Sequence, residues 1–184
     1  MSIIGLFKGK KIRLTAIRDE DIPTMEIWYN NVDFLRYFDK LSAIPRNEKY
    51  ISNFISTMNE NNNEFIFAIR PIDSEKIIGV TGFENIQWNN GVGTIFIGIG
   101  DENQRGKGIG KEAMALTIDF AFNELNLHKL QLTVLGYNSS AIALYEGLGF
   151  IKEGVFREFI LRDKKRFDLI NYGLLNYEWK NKYL

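Results

Sequence analysis

Cysteine is absent from the 184 residues, which excludes disulfides, thiolate zinc sites, iron–sulfur clusters and any cysteine nucleophile. Histidine occurs once, as His128, and one imidazole argues against zinc hydrolysis and against most Ser–His chemistry. No excess of either charge exists: 23 Lys and Arg face 23 Asp and Glu, for a net charge of zero. Binding nucleic acid by bulk electrostatics calls for a positive surplus, so that class drops out. Three prolines speak against flexible linkers. No uninterrupted apolar run reaches the ~18 residues of a membrane span. The opening Met-Ser-Ile-Ile-Gly-Leu-Phe-Lys is too short and too soon charged for a signal peptide, so a cytoplasmic location is expected. What is present is globular: 45% hydrophobic and 25% charged residues, in a length that suits one domain with its own core. The chemistry left open is that of backbone, carboxylates, tyrosine, lysine and arginine.

Periodicity orders the elements. Residues 10–17 alternate as a strand with Ile12, Leu14 and Ala16 on one face. Asp19, Glu20 and Asp21 bring negative charge to a helix N-terminus, with Pro23 in its first turn and Met25, Ile27 and Trp28 on its apolar side. A second helical region covers 33–38 and 47–59, with Asn47 as a cap and Ile51, Phe54, Ile55 and Met58 at helical spacing. Three antiparallel strands follow at 64–70, 76–88 and 92–99, the last two joined by the turn Asn89-Asn90-Gly91. A glycine-rich turn then opens a helix to about Leu125, with Ala113, Leu116, Phe120, Ala121 and Leu125 as core candidates. A strand at 129–135 makes a parallel crossover, and Asn138 caps a short helix to about Gly147. Strands at 150–161 and 166–179 close the chain as a hairpin around Asp163-Lys164-Lys165. The expected fold class is α/β of the mixed α+β kind: a mostly antiparallel sheet with one parallel pair and helices on both faces.

The turn Gln104-Arg105-Gly106-Lys107-Gly108-Ile109-Gly110-Lys111 lets backbone N–H groups converge ahead of a helix N-terminus, a geometry that suits a phosphate or pyrophosphate. Two other nucleotide signatures fail. The third glycine of Gly106-x-Gly108-x-Gly110 comes one residue early for a dinucleotide fingerprint. Glu112 follows Gly110-Lys111 where a Walker loop needs Ser or Thr. A plain strand–helix turn without a ligand stays open as the alternative.

Arg105-x-x-Gly108-x-Gly110 resembles the Arg/Gln-x-x-Gly-x-Gly/Ala signature of the GNAT superfamily of acyl-CoA-dependent N-acetyltransferases. Asn138-Ser-Ser-Ala-Ile-Ala-Leu-Tyr145-Glu-Gly-Leu-Gly149-Phe150 is similar to that superfamily's Asn-x-x-Ala-x-x-x-Tyr-x-x-x-Gly-Phe. The tail (Glu153, Arg157, Glu158, then Asp168, Glu178 and Trp179) resembles the branch that acetylates ribosomal-protein N-termini, with its polyamine- and antibiotic-modifying relatives. The likeness covers residues 10–180, implying one acetyltransferase domain of the three-layer GNAT fold with a splayed parallel strand pair. It implies acetyl-CoA as co-substrate and no metal. Its pyrophosphate would be held at Arg105, Gly106, Lys107, Gly108, Ile109, Gly110 and Lys111, and its pantetheine arm would lie along Phe96, Ile97, Gly98 and Ile99. Gly98 and Gly100 fit a bulge or bend there. Asn138 and Ala141 would meet the cofactor arm, though Asn138 is equally a plain helix cap.

Thioester aminolysis needs a base for the amine, donors for the oxyanion and an acid for the leaving sulfur. The resemblance assigns the acid to Tyr145, and backbone N–H groups near 97–99 suit the oxyanion. Many relatives place a Glu on the strand before the glycine turn; Gly93-Thr94-Ile95-Phe96 carries none, leaving Glu84 on the neighbouring strand as the candidate base, acting directly or through water. A solvated strand carboxylate is the competing reading of Glu84. Between Asp19 and Glu48, seven acidic side chains face three basic ones, a local balance of −4. Such a rim attracts cationic amines or is simply a solvated helix face. Trp28, Tyr29, Tyr37, Phe38 and Trp88 either wall an acceptor tunnel or fill the core. The expected activity is acetyl transfer to a primary amine of a small molecule, polyamine or protein N-terminus, by direct attack in a ternary complex. The alternatives are a non-catalytic CoA-binding sensor and an acyltransferase for a nucleotide-sugar amine. Neither nucleic acid nor membrane is an expected partner, and a homodimer is left open.

Overall fold

The computed structural model describes residues 5–180. Its order is β1 (Ile12–Thr15), α1 (Ile22–Tyr29), α2 (Val32–Phe38), α3 (Glu48–Glu60), β2 (Phe65–Pro71), β3 (Gly79–Gln87), β4 (Val92–Ile99), α4 (Ile109–Asn123), β5 (Lys129–Leu135), α5 (Ser139–Leu148), β6 (Ile151–Arg162) and β7 (Lys165–Leu175). The seven strands form one sheet in the order β1-β2-β3-β4-β5-β7-β6. All neighbours are antiparallel except β4 and β5. The mixed sheet of the sequence reading is therefore present, with its single parallel pair.

Two-residue periodicity sends alternate side chains to opposite faces. From β2, β3 and β4, Ile66, Ala68, Val80 and Phe96 join α1, α2 and α3 on one face, with Met25, Trp28, Phe34, Ile51 and Ile55. The intervening Phe83 and Ile95 pack with Met114, Ile118 and Ala121 of α4 and with Tyr145 and Leu148 of α5 on the other. The result is three layers, helix on sheet on helix.

Local chemistry sets the turns. Asn47 caps α3, its Oδ1 accepting from Tyr50 N–H at 2.9 Å. Asp163 and Lys164, both at positive φ (48° and 63°), close the β6–β7 hairpin in two residues.

Several expectations are corrected. Ala16, Ile27 and Phe54 are exposed. Asp21 is no solvated helix-start acid. It is 4% exposed, and its carboxylate takes two hydrogen bonds from the wholly buried Arg70 (2.9 and 2.5 Å) and one from Arg18 N–H (2.8 Å). Gly98 and Gly100 mark no bulge, for Gly98 pairs in register with Val80 and the β3–β4 irregularity lies at Glu84/Gln87. They are required by aromatic rings: a Cβ on Gly98 would sit 2.5 Å from Phe38, and one on Gly100 would sit 2.0 Å from Trp28.

Candidate active site

The parallel pairing of β4 and β5 lasts three residues, ending at Thr94↔Gln131. Beyond it the strands diverge, and the outer edge of β4 from Ile95 to Ile99 has no strand beside it. A groove of about 490 Å³ opens there. It is lined by Ile97, Gly98 and Ile99 of β4, by Arg105, Gly106 and Gly110 of the glycine turn, and by Asn138, Ser139, Ser140 and Ala141 at the start of α5.

At the groove's end, Gly106 and Gly108 adopt φ of 73° and 80°, a region closed to most side chains, and Gly108 is the N-cap of α4. Among the described residues, the N–H groups of Gly106, Lys107, Gly108, Ile109 and Gly110 have no backbone acceptor. Five such donors ahead of a 15-residue helix can receive an anionic group. The turn is braced rather than loose. Lys11 Nζ donates to Lys107 O (2.9 Å), Lys11 N–H to Glu112 (2.8 Å), and Arg105 Nε to Ile99 O (3.1 Å). Arg105 thus ties the turn to the end of β4. Lys111 lies in the first turn of α4, and neither it nor Lys107, Gly108 or Ile109 lines the groove.

A second cavity, of about 150 Å³, continues through the split. Its walls come from both faces of the sheet: Glu84, Thr94, Phe96, Phe38, Asp39 and Lys40 on the α1–α3 side, Ile95, Ile97, Leu144 and Tyr145 on the α4–α5 side. Cross-strand pairing sets Glu84 directly opposite Thr94, the last residue before the strands part. Without the split, a full sheet would separate Glu84 from Tyr145.

The two groups have distinct environments. Burial pushes the Glu84 carboxyl above its ordinary 4.5; Lys40 pulls it down, while Asp39 and Glu64 add to the rise. Tyr145 is 7% exposed, and burial pushes its hydroxyl up to about 12. Its ring meets Phe150 edge-on at 5.8 Å, and no described protein group accepts from its hydroxyl. A phenol in that setting keeps its proton at neutral pH and has it free to give.

Asn138 serves as the cap of α5. Its Oδ1 accepts from Ala141 N–H (3.2 Å) and Ser140 Oγ (2.9 Å), and its Nδ2 donates to Tyr37 O (3.2 Å). That last bond belongs to a set that holds α2 over the split. The final carbonyls of a helix lack partners within it; here Tyr137 Oη donates to Arg36 O (2.5 Å), Asn138 to Tyr37 O, and Arg162 Nη2 to the carbonyls of Asp39, Lys40 and Leu41 (3.4, 3.2 and 2.8 Å). Sequence reasoning missed Arg162 altogether and counted Asp39 and Lys40 only within a charge balance. Of the aromatic candidates, Tyr37 and Phe38 line both cavities. Trp28 is core, and Trp88 is exposed, donating to Asn62 O at 3.1 Å. Exposed His128 lies at the start of β5 and lines neither cavity.

The chain belongs to the GNAT family: the acetyltransferase (GNAT) domain matches residues 11–151. It is an N-acetyltransferase, and its relatives carry that activity in their names. A prophage-derived N-acetyltransferase of Bacillus subtilis is 30% identical over 96% of this chain and 97% of its own. The [ribosomal protein uS5]-alanine N-acetyltransferase of Escherichia coli is 25% identical over 92% and 93%. Among solved structures, the spermidine N-acetyltransferase of Vibrio cholerae in complex with CoA and spermine superposes with a TM-score of 0.84 at 22% identity, covering 92% of this chain and 98% of that one. No described helix is long and apolar enough to cross a membrane.

Proposed function

We propose that residues 10–180 act as one cytoplasmic acetyltransferase domain that moves the acetyl group of acetyl-CoA directly onto a primary amine of a polyamine, protein N-terminus or small molecule. The observation that carries this reading is the shared cavity at the strand split, lined by a half-buried carboxylate and a buried phenol from opposite faces of the sheet. Acetyl-CoA supplies the thioester when bound. The residues fit it: the five free N–H groups of 106–110 receive the diphosphate, and the open edge of β4 receives the amides of the pantetheine arm.

Glu84 takes a proton from the incoming ammonium, directly or through one water, so that the nitrogen lone pair can attack. N–H groups on the open edge of β4 stabilise the oxyanion. As the carbon–sulfur bond breaks, Tyr145 gives its proton to the departing thiolate. No covalent enzyme intermediate is needed. Asp39 beside Glu84 gives the mouth two carboxylates against one Lys40, which favours a cationic acceptor. Polyamine and ribosomal-protein activities among relatives support both acceptor classes.

Thiol release from acetyl-CoA against panels of N-terminal peptides, polyamines and aminoglycosides tests the proposal. Amine-dependent release supports it; CoA binding without release for any amine makes the chain a sensor.

The base assignment predicts a pH dependence. Glu84 must be ionised to act, and its raised pKa places the acid limb of kcat/KM above the usual glutamate range. Activity falls as pH drops through that limb. Removing the cation by Lys40→Ala moves the limb to higher pH, and Asp39→Asn moves it lower. Glu84→Gln abolishes it.

The Arg162 clamp makes a separate prediction. Arg162→Ala frees the 39–41 carbonyls and loosens the acceptor wall, so KM for the amine rises by about tenfold, a scale set by lost charge-assisted hydrogen bonds. Affinity for acetyl-CoA stays unchanged. Steady-state kinetics with each substrate varied in turn separates the two.

A further inference from the structure

The chain from Gly5 to Ile12 folds back onto the start of α4. Lys8 bridges Arg13 of β1, Leu14 N–H donates to Phe7 O at 2.8 Å, and Gly9 N–H donates to Ile12 O at 2.8 Å. Gly9-Lys10-Lys11-Ile12 is thereby a tight turn. The Phe7 ring anchors this arm, with centroids 5.3 Å from Phe67 of β2 and 5.1 Å from Phe120 of α4.

The tip of the arm presses on the first turn of α4. Lys11 N–H donates to Glu112 Oε1 at 2.8 Å, and a Cβ on Gly9 would lie 2.0 Å from the same oxygen. A carboxylate at a helix N-terminus competes with any other anion for that end. Here a backbone N–H of the arm engages it.

The Lys11 side chain then crosses to the glycine turn. Its Nζ donates to Lys107 O at 2.9 Å, and it is the nearest group, at 3.8 Å, on the bare side of Gly108 where a Cβ would stand. An ammonium has three N–H donors, of which the Lys107 carbonyl takes one. Among the described residues no carboxylate pairs with it. Arg105, by contrast, is committed: Nε donates to Ile99 O at 3.1 Å and Nη1 lies 3.7 Å from Glu102.

We propose that Lys11 is a diphosphate-binding residue for coenzyme A, its ammonium pairing with the anion that the amides of 106–110 receive. The inference rests on the acetyl-CoA reading above and adds to it a cation brought from 96 positions away in the chain. The amides supply direction, and Lys11 supplies the point charge.

The test is calorimetric titration of coenzyme A, dephospho-coenzyme A (which lacks the ribose phosphate) and pantetheine into the full chain and its Lys11 variants. Lys11→Met keeps the backbone bond to Glu112. It should weaken coenzyme A and dephospho-coenzyme A alike by about tenfold and leave pantetheine unchanged. The free variant should keep its Tm within about 2 °C. Lys11→Arg retains the charge and should stay within about threefold of the unchanged protein. Added salt should weaken the unchanged protein more steeply than Lys11→Met, a difference that a merely bracing lysine does not produce. Equal affinity in Lys11→Met, or a loss of the same size at every salt concentration, overturns the proposal and leaves the amide cradle standing. A loss confined to coenzyme A, sparing dephospho-coenzyme A, puts Lys11 at the ribose phosphate and overturns it as well. No heat with the unchanged protein removes the acetyl-CoA reading and this proposal together.

Discussion

Tyr145→Phe is expected to lower kcat by roughly 10²–10⁴-fold, the range for loss of a positioned general acid, with acetyl-CoA affinity held within about threefold. The asymmetry follows from what the hydroxyl touches. No described protein group accepts from it, and the ring keeps its edge-on contact with Phe150 at 5.8 Å. The variant is therefore expected to fold and bind while losing the proton donor proposed for the leaving sulfur. A co-substrate with a better leaving group depends less on that proton, so an activated thioester such as an aryl thioacetate should recover part of the loss. Turnover unchanged by Tyr145→Phe would move the acid role to another donor in the cavity.

Asp21→Ala should destabilise the fold by about 3–5 kcal/mol, because it leaves the wholly buried Arg70 guanidinium without its counter-ion. For a chain of this length that is a fall in Tm of roughly 10 °C or more. Arg70 would keep Thr15 Oγ1, which accepts from its Nε at 2.9 Å, and the Glu75 carbonyl, neither of which balances the charge. The double change Asp21→Leu with Arg70→Met removes both charges and should cost far less than either single replacement, since the desolvation penalty then vanishes with the pair. Thermal unfolding of the four proteins measures the coupling. Equal losses in the single and double variants would show that packing, not charge, sets the cost.

Much of the sheet was legible in the sequence because its signals are local. Alternation marked β1 through Ile12 and Leu14, Asn47 and Asn138 marked helix starts, and Asn89-Asn90-Gly91 and Asp163-Lys164 marked turns. The glycine turn was legible for the same reason: positive φ at Gly106 and Gly108 is a demand on those residues alone. What depends on distant partners was not. Asp21 reads as a helix-start acid until Arg70, 49 positions away, is seen beneath it. Gly98 and Gly100 read as backbone irregularities, but the rings of Phe38 and Trp28 dictate them. Arg162 is one more cation on a charged hairpin until its Nη2 reaches carbonyls more than 120 residues back. Glu84 was reached by elimination, from the missing carboxylate on β4; its pairing opposite Thr94 supplies the physical reason that the neighbouring strand can stand in.

The most direct measurement is calorimetric titration of the folded protein with acetyl-CoA, coenzyme A and pantetheine, the last lacking the diphosphate. If the amides of 106–110 grip that diphosphate, both CoA forms bind with micromolar affinity, pantetheine binds at least about a hundredfold more weakly for want of those charge-assisted bonds, and Gly108→Val weakens only the CoA forms. Absence of heat with either CoA form, or equal affinity for pantetheine, would contradict a diphosphate cradle at the start of α4.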